Sequence, residues 1–386
     1  MALDFPQASF MADDELQMLA DSARRFFERA APPERVEAWR EAGQVERAFW
    51  KEAGKAGFLG VSVPTEYGGQ GGDFRHDVVL VDEVQRAGLD GFALSLHNVI
   101  VVPYIQLHGT EDQKHRWLPG LSNGDLVSAI AMSEPGAGSD LQSIRTTAIR
   151  EGDEYVINGS KTFISNGQLA DLIVVVAKTD PAEGAKGISL LVVEANKVTG
   201  FRRGRKLDKI GLDAQDTSEL FFDDVRIPAD NLLGGIEGRG FAQLMAELPR
   251  ERMIIALGSQ NSMERAIEVT IEYTRERKAF GQSLISFQNT QFKLAEMKAK
   301  ARVGRSFINE CVDKAVRGEL DGTTSAMAKM WASETEWEVV DACLQLHGGY
   351  GYINDYPIAR IFRNARVSRI YGGSTEIMKL LVARSL

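Results

Sequence analysis

The stretch Ile130-Ala-Met-Ser-Glu-Pro-Gly-Ala-Gly-Ser-Asp140 joins a short β-strand pattern to a turn of small residues. Gly136 and Gly138 carry no side chain, so a flat or anionic ligand could approach the main chain closely there. The hydroxyl groups of Ser133 and Ser139 can each donate or accept a hydrogen bond. The same Pro-Gly-Ala-Gly segment could also form an ordinary surface turn, so the rest of the chain has to decide between the two interpretations.

Size and composition indicate a globular protein of more than one domain. The chain has 386 residues, which is too many for one simple core and indicates two or three domains. Hydrophobic residues make up 44% and charged residues 26%, a balance typical of soluble globular proteins. The net charge of −9 disfavours nonspecific binding of nucleic acid, which needs a basic surface. We therefore expect no nucleic-acid partner.

Cysteine and histidine usage predicts neither a disulfide framework nor a metal site. Cys311 and Cys343 lie in helical patterns and are predicted to be small buried apolar residues, which fits a reducing compartment. The five histidines show no metal-ligand spacing. The chain begins without a signal-peptide pattern, and apolar runs such as 172–177 are too short to span a membrane. A bacterial cytoplasm is the simplest expected location; the mitochondrial matrix, with a presequence removed, is the alternative.

Hydrophobic periodicity divides the chain into three regions. Residues 1–126 follow a helical period, residues 127–235 follow a strand period, and residues 236–386 return to the helical period. We take these as the N-terminal, middle and C-terminal domains. The middle region shows no alternation of strands with long helices and no G-x-G-x-x-G after a strand. A Rossmann unit is therefore excluded from the prediction, and any dinucleotide must be bound in another way.

Two patterns give more detailed expectations. The dipeptide Asn158-Gly159 lies between β-rich runs and predicts a tight hairpin turn. In the C-terminal region, apolar residues recur every three or four positions and predict one stripe of a long helix, formed by Phe292, Ala295, Ala299, Val303, Phe307 and Cys311. A second helix is predicted from about 324 to 346, ending at two glycines. Consecutive long helices joined by short turns indicate a bundle.

Four further segments complete a recognisable order: SKTFISNG at 160–167, ERKAFG at 276–281, QLHGG at 345–349 and IYGGSTE at 370–376. Together with 130–140 they make the chain resemble the acyl-CoA dehydrogenase family of flavoproteins from end to end, with the long-chain type nearest in pattern. The resemblance implies a mainly α fold with a central β domain: an N-terminal helical domain, a small β-barrel-like domain and a C-terminal four-helix bundle. It also implies FAD-dependent α,β-dehydrogenation of a fatty acyl-CoA, medium- or long-chain or branched, to a trans-2-enoyl-CoA, with hydride transfer to flavin N5.

In this family FAD lies between the β domain and the C-terminal bundle, and a neighbouring subunit completes the site. The resemblance implies flavin contacts in the β region from Ile130, Met132, Ser133, Phe163 and Ser165. In the C-terminal region it implies cofactor contacts from Arg277, Phe280, Gln288, Gln345, Gly348, Gly349, Ser374 and Glu376. Simpler interpretations stay open: Phe163 as ordinary core, Arg277 as part of a solvated charge run, and Gly348-Gly349 as a plain helix cap.

The position of the catalytic base departs from the commoner family pattern. In many relatives a carboxylate directly follows the tyrosine of the last motif, but here Tyr371 is followed by Gly372, which has no side chain. A minority of the family, including the long-chain and isovaleryl types, carries the base on an earlier helix, where Glu251 falls on the matching position. The alternative for Glu251 is a solvent-facing acid paired with nearby arginines. Glu376 is close in sequence to Gly372 but matches a flavin contact.

The resemblance further implies substrate contacts at Ser139, Arg252, Gly372 and Gly373, electron-transferring flavoprotein as electron acceptor, and a homotetramer or dimer. Two other functions stay open: an acyl-CoA oxidase or other flavin oxidase on the same fold, and a catalytically silent flavoprotein with a binding role. A row of arginines recurs every three residues at 360, 363, 366 and 369. We interpret that row first as a salt-bridged helix face, then as a subunit contact, and last as a nucleic-acid surface.

Overall fold

The structure, a computed structural model, describes residues 3, 5 and 8–386. Residues 1, 2, 4, 6 and 7 lie outside this description, and with them most of the stretch on which the absence of a signal peptide is predicted. The chain forms two compact units. The first unit, Leu19–Lys209 with Asp213–Leu248, is called the N-terminal unit; the second, Met1–Met18 with Ile210–Leu212 and Pro249–Leu386, is called the C-terminal unit.

In the described part of the chain, six α-helices precede the first strand. The first begins at Asp14, and the N–H of Glu15 donates to Asp13 Oδ1 at 3.0 Å, as expected for acids at a helix N-terminus. A π-helical segment, Ser95–Val101, leads into the fifth helix. The helices are α1 (Asp14–Ala30), α2 (Pro33–Ala42), α3 (Arg47–Lys55), α4 (Phe74–Arg86), α5 (Val102–His108) and α6 (Glu111–Ser122).

The strands of the N-terminal unit form a curled seven-stranded sheet. They are β1 (Ser128–Ala131), β2 (Thr147–Glu151), β3 (Glu154–Ser165), β4 (Leu172–Lys178), β5 (Ile188–Glu194), β6 (Phe201–Lys206) and β7 (Thr217–Pro228). Their order is β1-β4-β2-β3-β7-β6, with β5 paired to β4. Alternate residues of β4 enter two different cores, one shared with α5 and α6 and one enclosed by the sheet. Burial on both faces explains the unbroken apolar run in β4.

The predicted hairpin at Asn158-Gly159 is wrong. Both residues lie inside β3, whose pairing with β7 shifts register between Ile157 and Gly159. The Asn158 side chain donates to Asp224 Oδ1 and accepts from the Asp224 N–H, each at 2.9 Å. A Cβ at Gly159 would overlap Thr146. Gly159 is therefore needed because the backbone at Thr146 comes close to it at a β-bulge. The tight turn of the hairpin lies instead between β2 and β3.

Long helices build the C-terminal unit and the segment that leads into it. They are α7 (Gly240–Glu276), α8 (Gln288–Val316), α9 (Gly322–His347), α10 (Pro357–Ala365) and α11 (Thr375–Ala383), with a two-residue pair β8 (Lys278–Ala279) and β9 (Gln282–Ser283) between α7 and α8. The two long helices predicted after residue 290 are confirmed. Helix α7 continues through Pro249, so the chain does not start a new helix there. One apolar core joins α7, α8, α9 and α10.

Most members of the predicted apolar stripe of α8 are not buried in the single chain. The buried face carries Leu294, Met297, Ala301 and Ile308, whereas Phe292 and Val303 are exposed. Cys311 is buried, as is Cys343, and the expectation that both are free, buried cysteines is confirmed. The periodicity predicted the helix correctly, and apolar residues at helical spacing lie on its exposed face as well as on its buried face.

The predicted fold class is confirmed: an N-terminal helical domain, a curled β-sheet domain and a C-terminal helical domain follow one another. The boundaries at 126/127 and 235/236 stay a prediction. Among the described residues, no helix is long and apolar enough to cross a lipid bilayer.

Candidate active site

The turn after β1 is tight, and there is free space beside the main chain at its glycines. The N–H of Glu134 donates to Ala137 O at 2.8 Å, and the N–H of Ala137 donates to Glu134 O at 3.1 Å. A Cβ at Gly136 or Gly138 would meet no atom within 4 Å. Ser139 is exposed in the same turn. The turn therefore leaves room for a ligand beside its glycines, as the ligand-binding interpretation of the sequence requires.

The turn is fixed to β3 by a buried ion pair. Lys161 Nζ lies 2.9 Å from Glu134 Oε1 and also donates to Met132 O at 3.0 Å, and both charged side chains are almost fully removed from solvent. Burial lowers the pKa of Lys161 to about 8, while the Glu134 carboxylate opposes that shift. Burial alone would raise the pKa of Glu134. The Lys161 charge and the backbone N–H groups of Arg145 and Thr146 hold that pKa below its usual value.

Sequence reasoning missed this pair, although both residues lie inside segments that it had singled out. The available signal was one lysine within a strand of otherwise apolar and small residues, at a position where only a partner charge makes burial tolerable. The N–H of Thr162 also donates to Ser133 O at 2.9 Å. The structure therefore brings the predicted flavin contacts Met132 and Ser133 next to the strand that carries Phe163.

Phe163 and Ser165 lie at the end of β3, beside a second register shift between Lys161 and Ile164. The ring of Phe163 is 69% exposed, so the interpretation of this residue as ordinary core is wrong. Its backbone adopts φ 61°, a left-handed conformation that is costly for an aromatic residue. Ser165 and Ile130 are partly exposed. An exposed aromatic ring held in a strained conformation is a feature expected at a ligand site.

In the C-terminal unit, Glu251 and Arg252 are buried on α7. Glu251 is only 5% exposed, so its interpretation as a solvent-facing acid is wrong. Burial lowers the pKa of Arg252, and the neighbouring Glu251 charge opposes that effect. Arg252 Nε is buried and has no hydrogen-bond partner among the described residues. A buried guanidinium nitrogen without a partner fits a site that accepts an anionic or carbonyl oxygen from a ligand.

Gly372 lies against this part of α7, and the next residue, Gly373, lies against Met378 of α11. A Cβ at Gly372 would overlap Ile255 Cδ1, and Ile255 is one helical turn after Glu251. Both glycines have positive φ, 62° and 91°, in a turn that larger residues would strain. The missing side chain at Gly372 is therefore matched by close contact with the α7 turn that carries Glu251.

The remaining residues of this last motif begin α11. Ser374 is its N-cap, and the Ser374 hydroxyl accepts from the N–H of Ile377 at 3.5 Å. Glu376 is exposed, and its own backbone N–H together with the Ser374 hydroxyl holds its pKa below the usual value. A buried lysine that sequence reasoning missed, Lys329 of α9, donates to Gly373 O at 2.7 Å. Alanines 326, 328 and 332, which flank Lys329 in the sequence, are also buried. This run of small apolar residues is the pattern that could have predicted a buried lysine.

A separate group of predicted residues lies where α9 ends. The N–H of Gly348, with φ 58°, donates to Gln345 O, so the Gly348-Gly349 pair does terminate the helix. A Cβ at either glycine would meet no atom within 4 Å, so the pair also leaves open space. The Arg277 guanidinium lies 5.3 Å from the centre of the Tyr350 ring. Arg277 is therefore placed at this helix end rather than in a purely solvated charge run.

The loop between β8 and β9 presents a second exposed aromatic ring. Phe280 is 95% exposed with φ 51°, and its ring is 6.3 Å from Phe287, the residue before Gln288. Gln288 and Gln345 are both exposed. Phe163 and Phe280 thus share two unusual properties, a largely exposed aromatic side chain and positive φ. Those properties fit contact with a flat aromatic cofactor such as a flavin.

Three arginines of the row make contacts within the C-terminal unit. Arg369 bridges Glu334, with Nη2 2.8 Å from Oε2. The Arg366 guanidinium lies 5.8 Å from the centre of the Trp337 ring, and Arg363 Nη1 donates to Ile210 O at 3.2 Å. These contacts favour the first interpretation, a salt-bridged and packed helix face.

Family models for the N-terminal, middle and C-terminal domains of acyl-CoA dehydrogenase match residues 13–125, 129–225 and 238–386. The chain is 45% identical to the mitochondrial long-chain specific acyl-CoA dehydrogenase of Mus musculus, over 100% of this chain and 91% of that protein. It is similar to the crystal structure of an acyl-CoA dehydrogenase from Geobacillus kaustophilus, with 46% identity, TM-score 0.95 and coverage of 98% and 99% of the two chains. A structure described as the electron transferring flavoprotein of Acidaminococcus fermentans matches with 36% identity, TM-score 0.90 and 99% coverage of both chains. The chain therefore belongs to the acyl-CoA dehydrogenase family of flavin-dependent oxidoreductases.

Proposed function

We propose that this protein is an FAD-dependent acyl-CoA dehydrogenase that converts a medium- or long-chain or branched acyl-CoA into its trans-2-enoyl-CoA, with Glu251 as general base. The observation that carries the proposal is the pairing of a buried carboxylate at Glu251 with a side-chain-free Gly372 packed one helical turn away, on Ile255. A carboxylate carried by α7 needs that room, since the position after Tyr371 supplies no acid of its own.

In the proposed reaction, the protein itself removes one proton from the substrate. Glu251 removes the proton from the α carbon, the electron pair of that C–H bond becomes part of the new double bond, and hydride leaves the β carbon. Bound FAD would supply the hydride acceptor. The backbone N–H of Gly372 polarises the thioester carbonyl and stabilises the negative charge that develops there. Arg252, whose buried Nε lacks a partner among the described residues, and Ser139 contact the CoA part of the substrate.

We assign the cofactor contacts by the family pattern, each unit taken by itself. The turn after β1 and the end of β3 contact the flavin ring, through Ile130, Met132, Ser133, Phe163 and Ser165. The C-terminal unit contributes polar and aromatic contacts from Arg277, Phe280, Gln288, Gln345, Gly348, Gly349, Ser374 and Glu376. Support comes from the two exposed aromatic rings at positive φ and from the open space at Gly348 and Gly349.

Self-association and an electron acceptor complete the proposal. The exposed apolar residues of α8, among them Phe292 and Val303, form a surface that a second copy of the chain would cover in a homotetramer or dimer. Electron-transferring flavoprotein is the proposed acceptor, in keeping with the family. The free, buried cysteines fit a reducing compartment such as a bacterial cytoplasm.

The test is anaerobic reduction of the bound flavin by a panel of straight, branched and aryl acyl-CoA thioesters, followed by timed exposure to air. We expect bleaching by at least one straight-chain or branched fatty acyl-CoA and slow reoxidation by oxygen. Rapid reoxidation would favour an oxidase instead. Failure of every thioester to bleach the flavin would favour a catalytically silent flavoprotein.

A further inference from the structure

Lys329 is a fully buried lysine whose ammonium contacts a backbone carbonyl. Its side chain is inaccessible to solvent, and Nζ donates to Gly373 O at 2.7 Å. Burial lowers the pKa of Lys329 to about 8, and the Arg252 charge acts in the same direction. Three carboxylates oppose that shift, Glu334 and Glu336 on α9 and Glu376 on α11. A lysine is rarely buried without a dedicated partner, so this position has a specific task.

The carbonyl that Lys329 contacts belongs to the Gly372-Gly373 turn. The same turn also contacts α7, since a Cβ at Gly372 would overlap Ile255 Cδ1. Lys329 and Ile255 therefore contact the same two-residue turn from two different helices. Glycines at positive φ have little intrinsic preference for one backbone conformation. The conformation of this turn thus depends on its two neighbours.

We propose that Lys329 is a positioning residue for proton removal: it holds the Gly372-Gly373 turn against α7 and so fixes the Gly372 N–H relative to the Glu251 carboxylate. This inference rests on the proposed function. We assign Lys329 no direct contact with substrate or cofactor. Its contribution is the placement of the group that polarises the thioester carbonyl, where a displacement of about 1 Å can lower a rate by about 100-fold.

The experiment isolates proton removal from hydride transfer. The FAD-loaded protein is given an acyl-CoA with two deuterons on its α carbon and no hydrogen on its β carbon, and loss of deuterium to water is followed by mass spectrometry. Lys329→Met removes the charge at similar size, and Lys329→Arg retains it. Arg305→Met is the matched control: it breaks a contact between α8 and α7 at Glu264, roughly 20 Å along α7 from Glu251.

For Lys329→Met we expect deuterium washout to fall by about 10- to 100-fold, with the Kd for the thioester and the FAD content close to parental. Arg305→Met should exchange at the parental rate. Lys329→Arg should recover most of the rate and extend it to higher pH, because a guanidinium keeps its charge where Lys329 loses its proton, near pH 8.

Parental washout in Lys329→Met would overturn the proposal. So would an equal fall in Arg305→Met, because that result would reduce the role of Lys329 to general stability. If Lys329→Met does not fold, the pH dependence of deuterium washout in Lys329→Arg is the deciding measurement. A washout rate that changes with pH above 8 in the same way as in the parent would overturn the proposal. Glu251→Gln serves as a separate reference: rapid washout in that variant would show that the proposed base, rather than the role of Lys329, is at fault.

Discussion

The buried carboxyl group of Glu336 predicts a pH-dependent stability that a single substitution should remove. Glu336 lies on α9 and is almost fully buried, with Oε2 lacking a hydrogen-bond partner among the described residues. Burial raises its pKa from 4.5 to about 7, and the hydroxyl groups of Ser368, Ser262 and Ser259 oppose that effect. The folded protein therefore binds a proton at this site more tightly than the unfolded chain does.

The size of the effect follows from linkage. Because the folded-state pKa is raised, the stabilisation is fully present below pH 4.5 and is lost as the pH rises through 7. The shift corresponds to about 3 kcal/mol in the free energy of unfolding. Glu336→Gln keeps the shape and hydrogen-bonding capacity but has no ionisable proton. The variant should match the parent near pH 4.5 and be more stable by about 3 kcal/mol at pH 8.

The assay is urea unfolding at a series of pH values from 4.5 to 8, followed by far-UV circular dichroism and by tryptophan fluorescence. Trp331 and Trp337 lie on the same helix as Glu336 and report its unfolding. Glu338→Gln is the matched control, since the Glu338 side chain is 60% exposed and its ion pair with Lys300 is screened. A stability difference between Glu336→Gln and the parent that does not change with pH would refute the reasoning.

Three further substitutions test the candidate site. Lys161→Met should destabilise the protein by about 3–5 kcal/mol, because the buried Glu134 carboxylate loses its partner; urea unfolding measures the loss, and an unchanged midpoint would contradict it. Gly372→Ala should cost about 1–3 kcal/mol, since its Cβ overlaps Ile255 and φ is positive, and should slow α-deuterium washout; parental values in both assays would count against close packing of that turn. Phe163→Gly should raise stability by about 1 kcal/mol through relief of backbone strain while lowering FAD content after gel filtration; unchanged FAD retention would remove Phe163 from the flavin site.

The features that sequence predicted best are those set by local pattern. The helical period after residue 240, the strand period between 127 and 235 and the burial of Cys311 and Cys343 each depend on neighbouring residues alone, and each is found in the structure. The absence of a side chain at Gly372 also led to the prediction of Glu251 as base; that role stays a prediction, although Gly372 does pack on Ile255, one helical turn after Glu251.

The features that sequence missed depend on tertiary contacts. Asn158-Gly159 has the composition of a turn, but Thr146 and Asp224 hold it inside a strand, and no local pattern contains those partners. The buried lysines 161 and 329 are acceptable only because Glu134 and the Gly373 carbonyl lie beside them. On α8, both faces carry apolar residues, and only the packing of the folded unit selects the one that is buried.

The most direct test of the central claim is the rate of flavin reduction in Glu251→Gln, measured by anaerobic stopped-flow with an acyl-CoA that reduces the parent. The matched control is Glu247→Gln, which changes another buried acid one turn earlier on α7, where Glu247 Oε1 is 2.9 Å from His108 Nε2. We predict that Glu251→Gln retains FAD but is reduced about 10²- to 10⁴-fold more slowly, while Glu247→Gln stays within a few-fold of the parent. A near-parental rate in Glu251→Gln would contradict the account.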